Sequence, residues 1–466
     1  MESDNSINYQ EDCPRFFELA EHEPFEKKYA QWIPYLEQFP FVETEYEGEP
    51  LHLGVFNNQA SYYIGASWLL KEKGKYHPES DKAIVVVPRI DVDFIEMFVT
   101  ALKTVPSAEY FSKFYGIDVD APKIPYEALN DQLEPLLIIH FVKIVESIIR
   151  KGLKKDYVSI EERLRLKIKG RIALTHHLQQ NVFLKREDYT TCRYQVYTED
   201  VYENRILKKA LLFADKMLNR MQSLHYHSKL STIQWSIRRC LSAFESVSDM
   251  ETVKLSSNIR YNKLYSEYKD AIRLGNLILK KFDYSINKAG EIQHEVFPFW
   301  IDMSRLYEVY VFGLLLNQYG EDNIKFQVEG YSNTAADFIK IDEKIIMDAK
   351  YKPRYATSNS YIIDDIRELS GYARDRRILK ALGDPENEVQ CLIIYPDVAD
   401  EVEDELPQKK ESTAFERKFQ IQESILKNAI PIKRYRNFYK ISIPIPMKKN
   451  GGTLNASETY SSYKPD

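Results

Sequence analysis

Residues 335–352 contain two short apolar stretches separated by three polar residues, which predicts two neighbouring β-strands joined by a turn at residues 342–344. Successive side chains on a strand point to opposite faces, so Asp348 and Lys350 lie on one face of the second strand. Folding back at the turn would bring Asp337 near that face, with a register that depends on the turn type. The segment therefore predicts two carboxylates and one ammonium group close to a single point.

Two carboxylates and an ammonium group are the minimum set for metal-assisted cleavage of a phosphodiester. We predict that Asp337 and Asp348 bind Mg²⁺, or alternatively Mn²⁺, and that the backbone carbonyl of Ala349 completes the protein ligands. The metal ion would acidify a bound water molecule, which Lys350 would orient while offsetting charge in the transition state. The alternative is a hairpin at a sheet edge whose charged side chains face solvent.

A helix is predicted upstream of this hairpin over residues 300–316, because apolar side chains occupy most of its sides and Gly320 follows as a stop signal. Such a helix is buried, and Glu308 within it needs a partner because an unpaired buried carboxylate is unfavourable. That partner is either the metal site, where Glu308 would assist catalysis, or Arg305 three residues earlier.

A second helix is predicted downstream over residues 364–375, opened by acidic residues suited to an N-cap. Glu368 and Tyr372, four residues apart, project from one face and would line the site in supporting roles; the alternative is an ordinary half-exposed helix surface. Residues 389–396, an apolar stretch closed by a proline, predict a buried strand. Helix, hairpin, helix and strand follow one another as in the restriction-endonuclease core.

This order, and the D-x(10)-D-A-K spacing of Asp337, Asp348 and Lys350, resemble the PD-(D/E)xK nuclease superfamily. Residues 130–446 are similar to McrC-like proteins, the cleaving subunits of McrBC restriction systems that attack DNA carrying modified cytosine. The segments that carry this resemblance, in the family's order, are Arg150-Lys151-Gly152-Leu153, Ile168-Lys169-Gly170-Arg171-Ile172, Tyr194, Asp200-x-x-x-Asn204-Arg205-Ile206-Leu207-Lys208, the helix with Glu308, Asp348-Ala349-Lys350-Tyr351-Lys352, and Asp365-x-x-Glu368-x-x-x-Tyr372.

The resemblance implies a Mg²⁺-dependent DNA endonuclease subunit of a restriction or defence system. It also implies an AAA+ NTPase partner like McrB, and the chain itself contains no G-x-x-x-x-G-K-[ST] motif for binding nucleotide. Two positions depart from the pattern: Ala336 replaces the superfamily's proline, and Glu368 stands where related nucleases carry glutamine, which leaves its role open. Two alternatives remain, a non-cleaving adaptor that assembles and stimulates the AAA+ partner, and a self-sufficient RecB-like exonuclease.

The length of 466 residues exceeds the usual size of one hydrophobic core, so we predict a multidomain α/β (α+β) protein. Its predicted parts are a β-rich, partner-facing N-terminal module (1–125), a mainly helical middle domain (126–288), a nuclease domain with the restriction-endonuclease-like core (289–448) and a disordered tail (449–466). Neither a membrane span nor a signal peptide is recognisable, which predicts a cytoplasmic protein. The scattered cysteines and histidines lack zinc-ligand spacing and are interpreted as reduced packing or surface residues.

The net charge of −6 argues against a protein covered in basic residues, so DNA contacts must come from local clusters. Residues 161–171 alternate in a way that predicts one strand with five cations on one face, opposite apolar side chains. The predicted DNA-binding residues are Arg163, Arg165, Lys167, Lys169 and Arg171, together with Lys352 beside the cleavage site. The alternative for the five is a solvated strand face.

Overall fold

Helices and β-sheets alternate along the chain, which confirms the predicted α/β (α+β) fold class. The computed structural model describes residues 14–32, 45–46, 49–50, 53, 55–56, 59–60, 62–68, 82–89, 92–102, 114–118, 121–126, 130–223, 230–249, 265–287, 296–331, 334–352, 362–385, 388–397 and 424–447. The predicted disordered tail lies outside these residues. None of the helices in these ranges has both the length and the apolar character needed to cross a membrane.

The elements are numbered along the chain. The strands are β1 (Phe16–Ala20), β2 (Glu45–Tyr46), β3 (Glu49–Pro50), β4 (Val55–Phe56), β5 (Gln59–Ala60), β6 (Tyr63–Trp68), β7 (Ala83–Val87), β8 (Tyr115–Ile117), β9 (Asp156–Arg165), β10 (Arg171–Ile172), β11 (Tyr189–Thr198), β12 (Phe299–Asp302), β13 (Ile324–Glu329), β14 (Ala335–Lys340), β15 (Ile345–Ala349), β16 (Gln390–Asp397), β17 (Ile430–Pro431) and β18 (Phe438–Pro444). The α-helices are α1 (Glu26–Tyr29), α2 (Phe94–Leu102), α3 (Asn130–Lys151), α4 (Leu174–His177), α5 (Tyr202–Ser223), α6 (Leu230–Ala243), α7 (Glu267–Asn287), α8 (Met303–Tyr319), α9 (Ile362–Tyr372) and α10 (Arg376–Ala381).

The chain divides into two compact units. The first comprises Met1–Thr104, Phe114–Ile117 and Pro298–Asp466, and the second comprises Val105–Lys113 and Asp118–Phe297. The predicted division into four parts stays a prediction. In the first unit, however, strands from the front of the chain share a sheet with a strand from the predicted nuclease region.

That shared sheet has five strands in the order β1-β7-β6-β12-β8, with β1 and β7 parallel and the other neighbours antiparallel. The prediction of helix for residues 300–302 is wrong, because they form most of β12 and the helix begins only at Met303. Asp302 is extended, and its side chain accepts a hydrogen bond from the Arg305 backbone N–H at 3.0 Å. An N-cap carboxylate of this kind fixes where a helix begins.

The second sheet of this unit has six strands in the order β13-β14-β15-β16-β18-β17 and carries the predicted hairpin as β14 and β15. The hairpin is antiparallel, whereas β15, β16 and β18 run parallel. Leu369 of α9 and Ile378 of α10 pack with buried sheet residues such as Ile346 and Ile393. The predicted order of helix α8, hairpin, helix α9 and strand β16 is confirmed, and β13 and α10 are additional elements.

The turn of the hairpin is held by a completely buried lysine, Lys340 at the end of β14. Its Nζ lies 2.6 Å from Asp342 Oδ1 and 2.6 Å from Glu343 Oε1, and 4.3 Å from the centre of the Tyr319 ring. Removing one partner from such a buried cluster leaves uncompensated charge. The cluster thereby holds the turn and the strand register that follows from it.

Among the residues that the structure describes, the second unit contains four long helices, α3, α5, α6 and α7. Fully buried Asn204 on α5 donates to the carbonyl oxygens of Lys154 (2.9 Å) and Glu199 (2.6 Å) and accepts from the Tyr268 hydroxyl (2.7 Å). All three side-chain contacts tie separate segments together. The D-x-x-x-N-R segment around Asn204 therefore has a structural function in this unit.

Candidate functional site

Asp337 and Asp348 meet across the hairpin. Strands β14 and β15 pair with Phe338 opposite Met347, and one residue further along this antiparallel register Asp337 faces Asp348. Asp337 Oδ2 accepts a hydrogen bond from the backbone N–H of Ala349 at 2.8 Å, and the two carboxyl groups interact with each other. Asp348 is buried and Asp337 is half-buried. The structure thus supplies the register that the sequence left undefined.

The two carboxyl groups repel each other in this arrangement. Burial raises the pKa of Asp337 well above its usual range, and the negative charges of Asp348 and Glu308 raise it further. Burial also raises the pKa of Asp348, although Lys350 and the hydrogen bond from Asp337 oppose that rise. Because neighbouring carboxylates cannot both ionise easily, the pair titrates as one unit. A divalent cation bound between the two carboxylates would relieve this repulsion.

Lys350 follows β15 and shares the face of Asp348, as predicted. Its Nζ lies 2.7 Å from Asp348 Oδ2 and 2.8 Å from Glu368 Oε2. Burial alone would lower the pKa of Lys350, but the charges of Asp348 and Glu368 outweigh burial and raise it. Lys350 therefore remains an ammonium group that can donate to an oxygen atom at this point.

Glu368 and Tyr372 lie on one face of α9, as predicted, and the Tyr372 hydroxyl donates to Glu368 Oε1 at 2.8 Å. Burial would raise the pKa of Glu368, but Lys350 and this hydrogen bond lower it overall. The helix begins at Ile362, so Asp364 and Asp365 occupy its first turn and are not the N-cap; acidic groups there still favour the helix dipole. Glu368, which Tyr372 fixes, therefore contacts Lys350 from α9, while Asp348 contacts it from β15.

Glu308 lies half-buried on α8 and accepts a hydrogen bond through Oε1 from the side-chain amide of Gln327. Burial raises the pKa of Glu308 to about 7, with the charge of Asp348 adding to the rise and the Gln327 hydrogen bond opposing it. Arg305, one of the two partners considered from the sequence, forms an ion pair with Asp302 at 3.5 Å. Glu308 therefore belongs electrostatically to the group around Asp348, and its hydrogen-bond donor is Gln327.

Gln327 is the site residue that the sequence did not reveal. Its strand, β13, alternates polar and apolar residues and was therefore detectable. Its left-handed backbone, with φ of 49°, could not be predicted from the sequence, because non-glycine residues rarely adopt this conformation and no local sequence pattern indicates it.

The prediction that residues 161–171 form one cationic strand face is wrong. Strand β9 ends at Arg165, Leu166 takes a left-handed φ of 52°, and β10 contains only two residues. Leu166 and Ile168 are 80% and 68% exposed, so no buried apolar face holds a continuous strand here.

Three of the five predicted DNA-binding cations have intramolecular partners. Arg163 stacks on Tyr189 at 4.0 Å, Arg165 pairs with Asp188 at 3.1 Å and Lys169 lies over Tyr194 at 4.1 Å. The structure records no such partner for Lys167 or Arg171 within the residues it describes. Lys352, exposed beside the site, pairs with Asp365 at 2.9 Å. DNA binding by these six residues stays a prediction.

The donor set at the hairpin can be compared with the needs of a metal ion. Among the residues that the structure describes, no group of three or more histidine, cysteine, aspartate or glutamate side chains is arranged to hold one. Asp337 and Asp348 form a pair, and Mg²⁺ is commonly bound by one or two carboxylates with water and phosphate oxygens in the remaining positions. Two facing carboxylates that repel each other therefore fit the requirements of a Mg²⁺ site.

Comparison with known proteins gives one family match. A family model described as McrBC 5-methylcytosine restriction system component matches residues 117–367, which is 251 of the 466 residues. No curated protein matches the chain significantly.

Two solved structures show distant likeness. The first is a refined half-complex from a tetradecameric assembly of Thermococcus gammatolerans McrB AAA+ hexamers with bound McrC, at 13% identity and a TM-score of 0.37, over 94% of this chain and 97% of that chain. The second is a cryo-EM structure of the Thermococcus gammatolerans McrBC complex, at 14% identity and a TM-score of 0.28, over 65% of this chain and 87% of that chain. Likeness at these TM-scores does not establish a common fold.

Proposed function

Because the chain belongs to the family of McrBC 5-methylcytosine restriction system components, we propose that it is the McrC-like, DNA-cleaving subunit of such a system. McrC is bound to McrB AAA+ hexamers in the Thermococcus gammatolerans assembly, and we propose a partner of that class for this chain. The observation that carries the cleavage proposal is the meeting of Asp337, Asp348 and Lys350 at one end of the hairpin.

Asp337 and Asp348 are the residues that would hold Mg²⁺, or Mn²⁺, with the carbonyl of Ala349 as a further proposed ligand. When bound, the metal ion supplies an acidified water molecule and polarises the phosphoryl oxygen. The charged Nζ of Lys350 donates to the attacking oxygen or to the phosphate, where negative charge grows in the transition state. Glu308 contributes negative charge next to the pair, and exposed Lys352, which pairs with Asp365, is the proposed contact to a DNA phosphate.

The adaptor alternative draws on a specific contact, the ion pair between Lys350 and Glu368. A lysine held between two carboxylates is less available to DNA, and a second acidic group repels phosphate. If the chain is an adaptor, it stimulates the AAA+ partner, and this stimulation does not require the Asp348 carboxylate. The RecB-like exonuclease alternative requires that the isolated chain digest DNA from free ends.

The test is a cleavage assay on the chain purified with its AAA+ partner, with Mg²⁺ and nucleotide, on DNA with and without modified cytosine. Asp348→Asn and Lys350→Ala are compared with wild type, and Lys325→Ala on the exposed side of β13 is the matched control. We expect each site variant to lose about 100-fold or more in cleavage rate, while partner binding and NTPase stimulation persist.

Cleavage at the wild-type rate by both Asp348→Asn and Lys350→Ala would refute the proposed catalytic centre. Persistent NTPase stimulation in a wild-type complex that leaves DNA intact would identify an adaptor. Processive digestion of linear DNA by the chain alone would identify an exonuclease.

A further inference from the structure

Gln327 occupies an unusual backbone position opposite the site. Phe326 pairs with Phe338 and Val328 pairs with Ala336, so Gln327 between them is level with Asp337 on the neighbouring strand. Its φ of 49° is left-handed, a conformation that side chains other than asparagine, aspartate and glycine rarely adopt. Strained residues of this kind cluster at functional sites, where surrounding contacts hold them in place.

The contact made from this position is the hydrogen bond from Gln327 Nε2 to Glu308 Oε1. Glu308 comes from α8 and Gln327 from β13, so the bond joins two elements beside the Asp337–Asp348 pair. An amide is a neutral donor. It can fix a carboxylate without placing a positive charge next to a cation site, which a lysine or arginine would do.

We propose that Gln327 is a positioning residue, which holds the Glu308 carboxylate beside the Asp337–Asp348 pair and so strengthens the binding of a divalent cation there. This inference rests on the proposed function. Among the described residues, no group of three carboxylates is arranged to bind a metal ion directly. Glu308 therefore acts on the cation through its negative charge and not as a ligand. A purely structural bond between β13 and α8 would affect folding but not cation affinity.

The decisive variant is Gln327→Asn in the full chain. Asparagine adopts the left-handed conformation readily and keeps the amide, but it is shorter by one methylene and withdraws the donor from Glu308. Gln327→Met, which retains length and lacks the donor, is the second variant, and Lys325→Met on the same strand is the control. Mn²⁺ affinity is measured by isothermal titration calorimetry, and folding by circular dichroism.

We expect Gln327→Asn and Gln327→Met to weaken Mn²⁺ binding about five- to tenfold, with the secondary structure unchanged and the control like wild type. The same substitution in a Glu308→Gln background is expected to weaken binding by less than twofold, because the effect passes through Glu308. Wild-type affinity in Gln327→Asn, or equal losses in both backgrounds, would overturn the inference while leaving the nuclease proposal standing. A wild-type chain that neither binds Mn²⁺ nor cleaves DNA with its partner would overturn both.

Discussion

Replacing Glu308 by glutamine is expected to stabilise the metal-free protein at neutral and alkaline pH. Glu308 is half-buried on α8 and accepts a hydrogen bond from Gln327. Burial raises its pKa from 4.5 to about 7; Asp348 and Asp302 add to the rise, and Gln327 and Arg305 oppose it. Glutamine keeps an oxygen acceptor for Gln327 but carries no charge, so the substitution removes the unfavourable ionisation with little change in packing.

The sign follows from proton linkage. The folded protein holds the Glu308 proton more tightly than the unfolded chain, so raising the pH above 4.5 favours unfolding until the folded pKa of about 7 is passed. At about 1.4 kcal/mol for each pH unit between these two values, the full penalty is about 3 kcal/mol. The advantage of Glu308→Gln over wild type is therefore about 1 kcal/mol at pH 5 and about 3 kcal/mol at pH 8.

The assay is urea unfolding of the full chain in EDTA, followed by tryptophan fluorescence at pH 5 and pH 8. Trp32, Trp68 and Trp300 belong to the same compact unit as Glu308, so most of the signal reports on that unit. Glu321→Gln, at an exposed glutamate just after the same helix, is the matched control and is expected to show no pH-dependent gain.

An equal stability difference at both pH values, or a loss at pH 8, would refute the reasoning about Glu308. Saturating Mg²⁺ should shrink the difference, because the wild-type carboxylate then faces a cation. If the same variant is more stable but cleaves DNA more slowly, the charge at position 308 is retained for function at the expense of stability.

Three further substitutions or modifications have defined outcomes. Glu368→Gln removes one of the two negative charges on Lys350, and is expected to tighten DNA binding by about two- to fivefold in a filter-binding assay; a loss of cleavage beyond tenfold would instead make Glu368 a required group. Asn204→Ala leaves one buried and two partly buried polar partners without their side-chain contact, and is expected to lower the unfolding free energy by about 2–4 kcal/mol in urea, whereas an unchanged midpoint would contradict the structural function of that segment. Burial raises the pKa of the Cys391 thiol to about 12, so iodoacetamide should label it only after unfolding; rapid labelling of the native chain would show that the strand is open.

The features that the sequence predicted correctly follow from short-range rules. Alternation on β15 placed Asp348 and Lys350 on one face, and a spacing of four placed Glu368 and Tyr372 together on α9. Gly320 ends α8 as expected, with a positive φ of 81°. Each of these depends only on residues close in sequence, so a single chain contains the information needed.

The features that it missed depend on partners distant in sequence. Residues 300–302 are apolar enough to form either a helix or a strand. They form a strand because they pair with β6 and β8. Leu166 and Gln327 both have left-handed backbones, one ending a strand and the other turning towards Glu308. Neither residue type favours that conformation, so its occurrence reflects tertiary contacts and not local propensity.

The charges buried along one strand distinguish structure from function. Lys340 at one end of β14 is completely buried, yet two carboxylates of the adjoining turn offset its charge. At the other end, Asp337 faces Asp348 with Glu308 nearby, and repulsion raises the pKa of Asp337 beyond what burial alone would do. The turn carboxylates are partly exposed and both contact the ammonium group, so that cluster is stable as it stands, whereas an excess of buried negative charge is stable only when a proton or a cation joins it. The imbalance at Asp337 is therefore the physical reason to look for a metal ion there and not at Lys340.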